Sequence, residues 1–210
     1  MKLLLATRNE HKRREFARLL ERPATERPAT ADEPQDDLEL EIETLPDGVT
    51  MPPEDGDTFA ANALGKARAA AQATGRVSIA DDSGIAAAAL GGAPGVRSAR
   101  YAGEHASDEQ NLQKLLREAP AGSRLEYVCV IAHVDPASSA EHLFEGRCAG
   151  RLAAEPKGHG GFGYDPAFLP DDGPPGLTMA ELSDEQKDAI SHRGRAARAL
   201  RDWLAGAKAG

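Results

Sequence analysis

"KLLLATRNEHKRREFARLLE", residues 2–21, decides how this chain is read. "KLLLA" is a largely apolar run of strand length, and "TRN" breaks it with polar groups that favour a turn. Beyond the turn, Phe16, Leu19 and Leu20 recur at helical spacing among charged residues. A strand, a turn and an amphipathic helix are therefore predicted in that order, which is how an α/β sheet begins. The apolar run is too short for the core of a secretion signal, and no small-residue cleavage site follows it. A cytoplasmic protein is expected.

Working outward, "ERPATERPAT" at 21–30 is an exact tandem pentapeptide that runs into the acidic "ADEPQDD". Its density of Pro, Thr and Glu predicts a flexible surface insertion over about residues 21–37. "LELEIETL" at 38–45 alternates apolar and acidic residues, the pattern of a half-exposed strand. "DGDTFAANALGKARAAAQATG" at 55–75 reads as an Ala-rich helix, capped by Asp57 or Thr58 and closed by Gly75. "RVSIA" at 76–80 reads as a buried strand, and "ASDEQNLQKLLREAP" at 106–120 as a capped helix with Pro120 just past its end.

"SRLEYVCVIAHVDP" and "AEHLFEGRCAGRLA" are two long strand candidates joined by "PASS", hence an antiparallel pair. A Gly/Pro-rich loop, "GHGGFGYDPAFLPDDGPPG", follows at 158–176. "SDEQKDAISHRGRAARALRDWLAGA" ends the chain as one helix or a broken pair, with Ser183 as a capping candidate. Parallel-type units first and an antiparallel pair later predict an α/β fold with a mixed, curved sheet flanked by helices. A single domain over 1–210 is expected, its two lobes divided by a central cleft.

Composition narrows the function. With 210 residues, 40% apolar and 28% charged, the chain suits a soluble globular protein, and no apolar run approaches a membrane span. A net charge of −9 argues against nucleic acid as a partner but leaves room for a small anion in a local basic pocket. Cys129 and Cys148 lack metal-type spacing, so buried free thiols are expected, a disulfide being the alternative. His105, His133 and His142 have no ligand spacing and read as surface or strand residues.

The chemistry concentrates in four clusters. Thr7, Asn9 and Lys12 lie on a strand-to-helix turn, a natural anion site, although alone they also read as a helix cap and a solvated lysine. "IADDSGI" at 79–85 puts Asp81 and Asp82 where the chain is expected to leave a buried strand. Ionised carboxylates there need positive partners, and Glu54 can join them around Mg²⁺, which takes one or two carboxylates with waters and phosphate oxygens. "GGFGYDP" combines close-approach glycines with Phe162, an aromatic on which a base can stack. "SHRG" supplies His192 and the guanidinium fork of Arg193. No GxxxxGK[ST] motif occurs.

Taken in order, "LATRNEHK", "DGDTFAANALGKA", "ADDSGI", "GGAPGVRSARYAG", "GGFGYDPAF" and "TMAELSDEQKDAISHRG" resemble the inosine/xanthosine triphosphate pyrophosphatases, collinearly from residue 4 to about 194. The resemblance implies a two-lobed α/β fold, a homodimer, Mg²⁺ as cofactor, and cleavage of ITP, dITP and XTP to monophosphate and pyrophosphate. By position it implies that Thr7, Arg8, Asn9, Glu10, His11 and Lys12 hold the triphosphate with Lys66 beside them. Asp82 would be the general base and Ser83 a substrate contact, while Glu54 and Asp82, with Asp81 in support, would bind Mg²⁺. Phe162, Gly163, Tyr164 and Asp165 would form the base pocket, and Lys187, His192 and Arg193 would read the purine edge.

Three positions depart from the family pattern: Ala61 replaces a carboxylate, Arg97 an aromatic, and Asp188 stands where Asn or a small residue is common. Two alternatives stay open: a related pyrophosphatase with another base preference, and a nucleotide-binding protein with impaired catalysis, to which Ala61 points.

Overall fold

The computed structural model describes residues 1–21 and 38–208. The insertion expected over 21–37 lies outside the described residues apart from Glu21, which ends the first helix. Six strands form one mixed sheet in the order β2-β1-β3-β4-β5-β6. β1 (Lys2–Leu5) lies between β2 (Glu41–Thr44) and β3 (Ser78–Ala87), parallel to both. β3, β4 (Arg124–Asp135), β5 (Ala140–Leu152) and β6 (Phe168–Pro170) pair antiparallel in succession.

Helices cover both faces. α1 (Glu10–Leu20) is capped by Asn9, and α2 (Phe59–Thr74) by Thr58, with Gly75 closing it in the left-handed conformation that glycine adopts without strain. α3 (Asp108–Glu118) and α4 (Asp184–Ile190) each begin with a capping box, on Ser107 and Ser183. The C-terminal segment is the broken pair: α4 stops at Ser191 and α5 (His192–Lys208) starts in a new direction set by its extended backbone.

Pleating distributes the core. Leu3, Leu5, Ile79, Cys129 and Ile131 pack with Phe16 and Leu20 of α1 and with Leu200 and Leu204 of α5. Leu4, Ala6, Ala80, Val128 and Val130 pack on the opposite face against the Ala63, Ala67, Ala70 and Ala71 stripe of α2. Small side chains along α2 let it lie close to the sheet. A third cluster joins the far ends of β3 to β5 with α3 and the 164–182 segment. Both cysteines are free and buried. Among the described residues no helix is long and apolar enough to cross a membrane.

Two features make room for a site. α1 lies on one face and α2 on the other, so the crossovers on either side of β1 go opposite ways, and crevices form outside strand ends at such a switch. β1 also stops short: it pairs with β3 only at Leu4↔Ser78 and Leu5↔Ile79, while β3 continues for eight residues beyond Ile79.

Candidate active site

Asp81 and Asp82 lie inside β3, not at its exit as the sequence reading expected. Because successive side chains in a strand point to opposite faces, the two carboxylates separate. Asp81 points toward α1 and α5, where Lys12 Nζ lies 2.9 Å away and Arg193 3.4 Å away. Ser83, two residues on and on the same face, donates its hydroxyl to Asp81 and accepts from Arg193 at 2.9 Å. Asp82 points toward α2, where Asn62 Nδ2 donates to it at 2.9 Å, and its other oxygen accepts from the Ser83 N–H at 3.0 Å. Asn62 in turn accepts from the Gly56 N–H, which fixes its amide.

These environments drive the two carboxyls apart. Burial alone would raise Asp81, yet Lys12, Arg193 and Lys66 outweigh it and hold the carboxyl well below its ordinary range. Asp82 is raised, because burial there exceeds what Lys66 and Asn62 offset. Glu54 forms an ion pair with Lys66, which lowers the carboxyl and raises the ammonium against the burial of both.

A cleft of about 380 Å³ opens over this end of β3. Thr7, Arg8, Asn9, Lys12, Glu54, Lys66, Asp82 and Ser83 line it toward the N-terminus of α1; Phe162, Gly163, Tyr164, Asp165, Lys187, His192 and Arg193 line it at the other end. Fourteen of the sequence-derived candidates and the metal candidate Glu54 are thus brought together. Three are placed differently. Glu10 faces outward and pairs with Arg13 at 2.6 Å, because the first turn of α1 rotates it away from β3. His11 does not line the cleft; its ring stacks on Phe162 with centroids 5.2 Å apart, which joins the first turn of α1 to the Phe162 loop. Asp81 sits behind the wall, 1% exposed.

Several lining residues also brace the site. Thr7 accepts from the Asn9 N–H and Asn9 from the Lys12 N–H, so both hold the turn. Arg8 donates to the carbonyls of Pro46 and Val49, tying that turn to the loop that leads to Glu54. Asp165 accepts from Lys187 at 2.7 Å, from the Phe162 N–H at 2.9 Å and from the Tyr127 hydroxyl at 3.0 Å. Tyr164 donates to the Ser98 carbonyl and packs in the core.

Sequence reasoning missed Glu15, Asn62, Tyr127 and Asp108. Glu15 is the pivot of the base end: Lys187 donates to one oxygen at 2.6 Å and Arg193 to the other. Burial opposes ionisation, but the two cations bring its carboxyl down to about 2. Tyr127, on β4, stacks parallel to His192 with ring centroids 4.4 Å apart. Burial and the neighbouring Arg193 push His192 well below its ordinary value, so its imidazole is neutral. Asp108 accepts from the Gly163 N–H at the rim. The readable signals were spacings: Glu15 is three residues from Lys12, and Asn62 four from Lys66, each pair sharing a helix face. Among the departures, Ala61 is exposed in the first turn of α2 and does not line the cleft, Arg97 is exposed, and Asp188 pairs with Arg18.

The donor set fits a Mg²⁺ ion. Glu54 and Asp82 share one wall, and Lys66 carries favourable charge interactions with Asp81, Glu54 and Asp82 together, which marks the spot as cation-favouring. Asp81 Oδ1 is buried without a partner, an acceptor the chain leaves open. No group of three or more His, Cys, Asp or Glu side chains able to hold a metal occurs among the described residues. Such a sparse set suits an ion that completes its shell with water and phosphate oxygens.

The Ham1 family model matches residues 3–203. A dITP/XTP pyrophosphatase of Photorhabdus laumondii is 45% identical over 97% of this chain and 98% of its own length, and one of Cutibacterium acnes is 49% identical over 78% and 83%. Among solved structures, a HAM1 protein of Coxiella burnetii superposes with a TM-score of 0.79 at 37% identity, covering 97% of this chain and 98% of the other. The Staphylococcus aureus Ham1 protein gives 0.76 at 36%, covering 98% and 99%. With its mixed sheet, its cleft over β3 and a match along nearly its whole length, the chain belongs to the Ham1 family.

Proposed function

We propose that this protein hydrolyses non-standard purine nucleoside triphosphates, namely ITP, dITP and XTP, to the monophosphate and pyrophosphate. One observation carries the reading: a single cleft has a cation-and-carboxylate end at Lys12, Lys66, Glu54 and Asp82, and a base-sized end at Phe162 with Lys187, His192 and Arg193. The names of the relatives support dITP and XTP among these substrates.

In this reading Glu54 and Asp82, with Asp81 behind them, hold Mg²⁺, which when bound neutralises phosphate charge. Lys12 and Lys66 stabilise the charge that develops on the leaving pyrophosphate. Asp82, its two oxygens oriented by Asn62 and the Ser83 amide, takes the proton of the water that attacks phosphorus at the α–β bond. Asp81 is unsuited to that role, being buried behind the wall and paired with Lys12 and Arg193. At the other end, Lys187 and Arg193 present donors suited to a 6-oxo group, which an adenine amino group cannot satisfy. The acceptors beside them, Glu15 and Asp165, are occupied by internal donors. The resemblance to the family supports a homodimer, a cytoplasmic setting and one domain of two lobes flanking the cleft.

The test is product analysis by ion-exchange chromatography with dITP, XTP, dGTP and dATP, with and without Mg²⁺. Monophosphate and pyrophosphate from dITP and XTP, formed only with Mg²⁺, are expected. Diphosphate and phosphate would overturn the bond assignment, and equal turnover of dGTP the selectivity.

A further inference from the structure

The base-end cations sit on α4 and at the start of α5, whereas Lys12 of the phosphate end sits on α1. Something must set these helices against each other. α1 presents Lys12, Glu15 and Arg18 at three-residue spacing along one stripe, with alternating sign. Each finds its complement across the helix boundary. Lys12 meets Asp81, Glu15 meets Lys187 and Arg193, and Arg18 meets Asp188 and Asp184. A shift by one turn would bring like charges together, so the ladder permits one register.

Arg18 and Asp188 form its outer rung. The contact is two-pronged, Nε to Oδ2 at 2.6 Å and Nη2 to Oδ1 at 2.9 Å, a planar fork that specifies angle as well as distance. Asp188 is only 7% exposed. Its backbone is held as firmly from the third helix: a Cβ at Gly194 would stand 2.0 Å from the Asp188 carbonyl oxygen, and Arg198 donates to that same oxygen at 2.9 Å. Three helices therefore meet at Asp188, one residue from Lys187. Neither Arg18 nor Asp188 lines the cleft.

We infer that Arg18 and Asp188 are positioning residues that seat Lys187, and through it Glu15 and Arg193, for recognition of the base. The inference rests on the proposed substrate reading. Cutting the rung removes the hold of α1 on α4 and lets the Lys187 side chain shift against Glu15, while the carboxylates on β3 and in the loop before α2 stay where they are. Substrate binding weakens and the chemical step does not.

The experiment measures kcat and KM for dITP, together with calorimetric Kd for dIMP, on wild type, Asp188→Asn, Arg18→Met and the double variant, with thermal unfolding of each. Each single variant is expected to raise KM and Kd about 5- to 20-fold with kcat within about twofold, and the double variant to be no worse than Arg18→Met, which removes the Asp188 contact together with the one to Asp184. A loss of thermal stability with KM and Kd unchanged would show a merely structural pair and overturn the inference, as would additive losses in the double variant. Wild type that turns over and binds while the variants match it overturns the inference alone. Wild type that neither binds nor hydrolyses dITP overturns the substrate reading and the inference with it.

Discussion

Two adjacent aspartates in one strand have opposite fates because of a single residue's difference in phase. Asp81 turns toward cations and is held ionised; Asp82 turns toward an amide, a raised carboxyl beside the cleft. Asp82→Asn keeps the shape but only one of the two accepted hydrogen bonds, since its NH2 faces a donor where a carboxylate oxygen accepted, and it removes the proton acceptor. It should lower kcat for dITP by about 10²- to 10⁴-fold with little change in KM, read as pyrophosphate release. A variant that turns over like wild type would remove Asp82 from the role of base. The need for a counter-charge at "ADDSG" was legible in the sequence, since buried carboxylates require one. Which aspartate receives which partner was not, because the strand was expected to end there and an exit has no pleat to divide them.

Elements here are positioned by close approach as much as by apolar area. α5 reaches the site because its first turn lies directly on β5 at Gly146, where a Cβ would stand 2.1 Å from the His192 carbonyl oxygen and 2.5 Å from the Ala196 amide. Gly146→Ala must therefore push the helix start outward, carrying His192 and Arg193 with it. Stability should fall by about 1–3 kcal/mol in urea unfolding, as overpacking generally costs, and KM for dITP should rise. An unchanged urea midpoint would mean the helix moves freely there. Most elements were readable in advance: the β1–α1 unit, the Ala-rich α2 with Thr58 and Gly75 at its ends, and the long antiparallel pair all follow from local periodicity and capping. The break between α4 and α5 was left open, because "SHRG" contains no proline; Ser191 leaves α4 with extended backbone, and its hydroxyl accepts from the Gly194 N–H as the cap of α5.

At the scale of the whole molecule, Glu15 joins segments that are far apart in the chain: its partners Lys187 and Arg193 lie 172 and 178 residues away. Its carboxyl falls from an ordinary 4.5 to about 2 on folding. A carboxyl depressed in the folded state adds stability that is fully present above the unfolded value and is lost as pH falls through the folded one. Between about pH 4.5 and pH 2 the protein should lose on the order of 3 kcal/mol through this group. Glu15→Gln should be less stable at pH 7 and flatter across that window, as followed by urea midpoints at successive pH values; a variant as acid-sensitive as wild type would assign the loss to other carboxylates. The sequence by itself determined the elements, the residue kinds at both ends of the cleft and the family resemblance, because period, capping and motif are local properties of the chain. Only the tertiary structure decided that Glu10 faces solvent, that His11 stacks on Phe162, that Asp165 is occupied by its neighbours, and that Glu15 holds the two cations of the base end. Those outcomes depend on which faces meet when helices pack across a sheet, and partners so distant in the chain leave no local pattern to read.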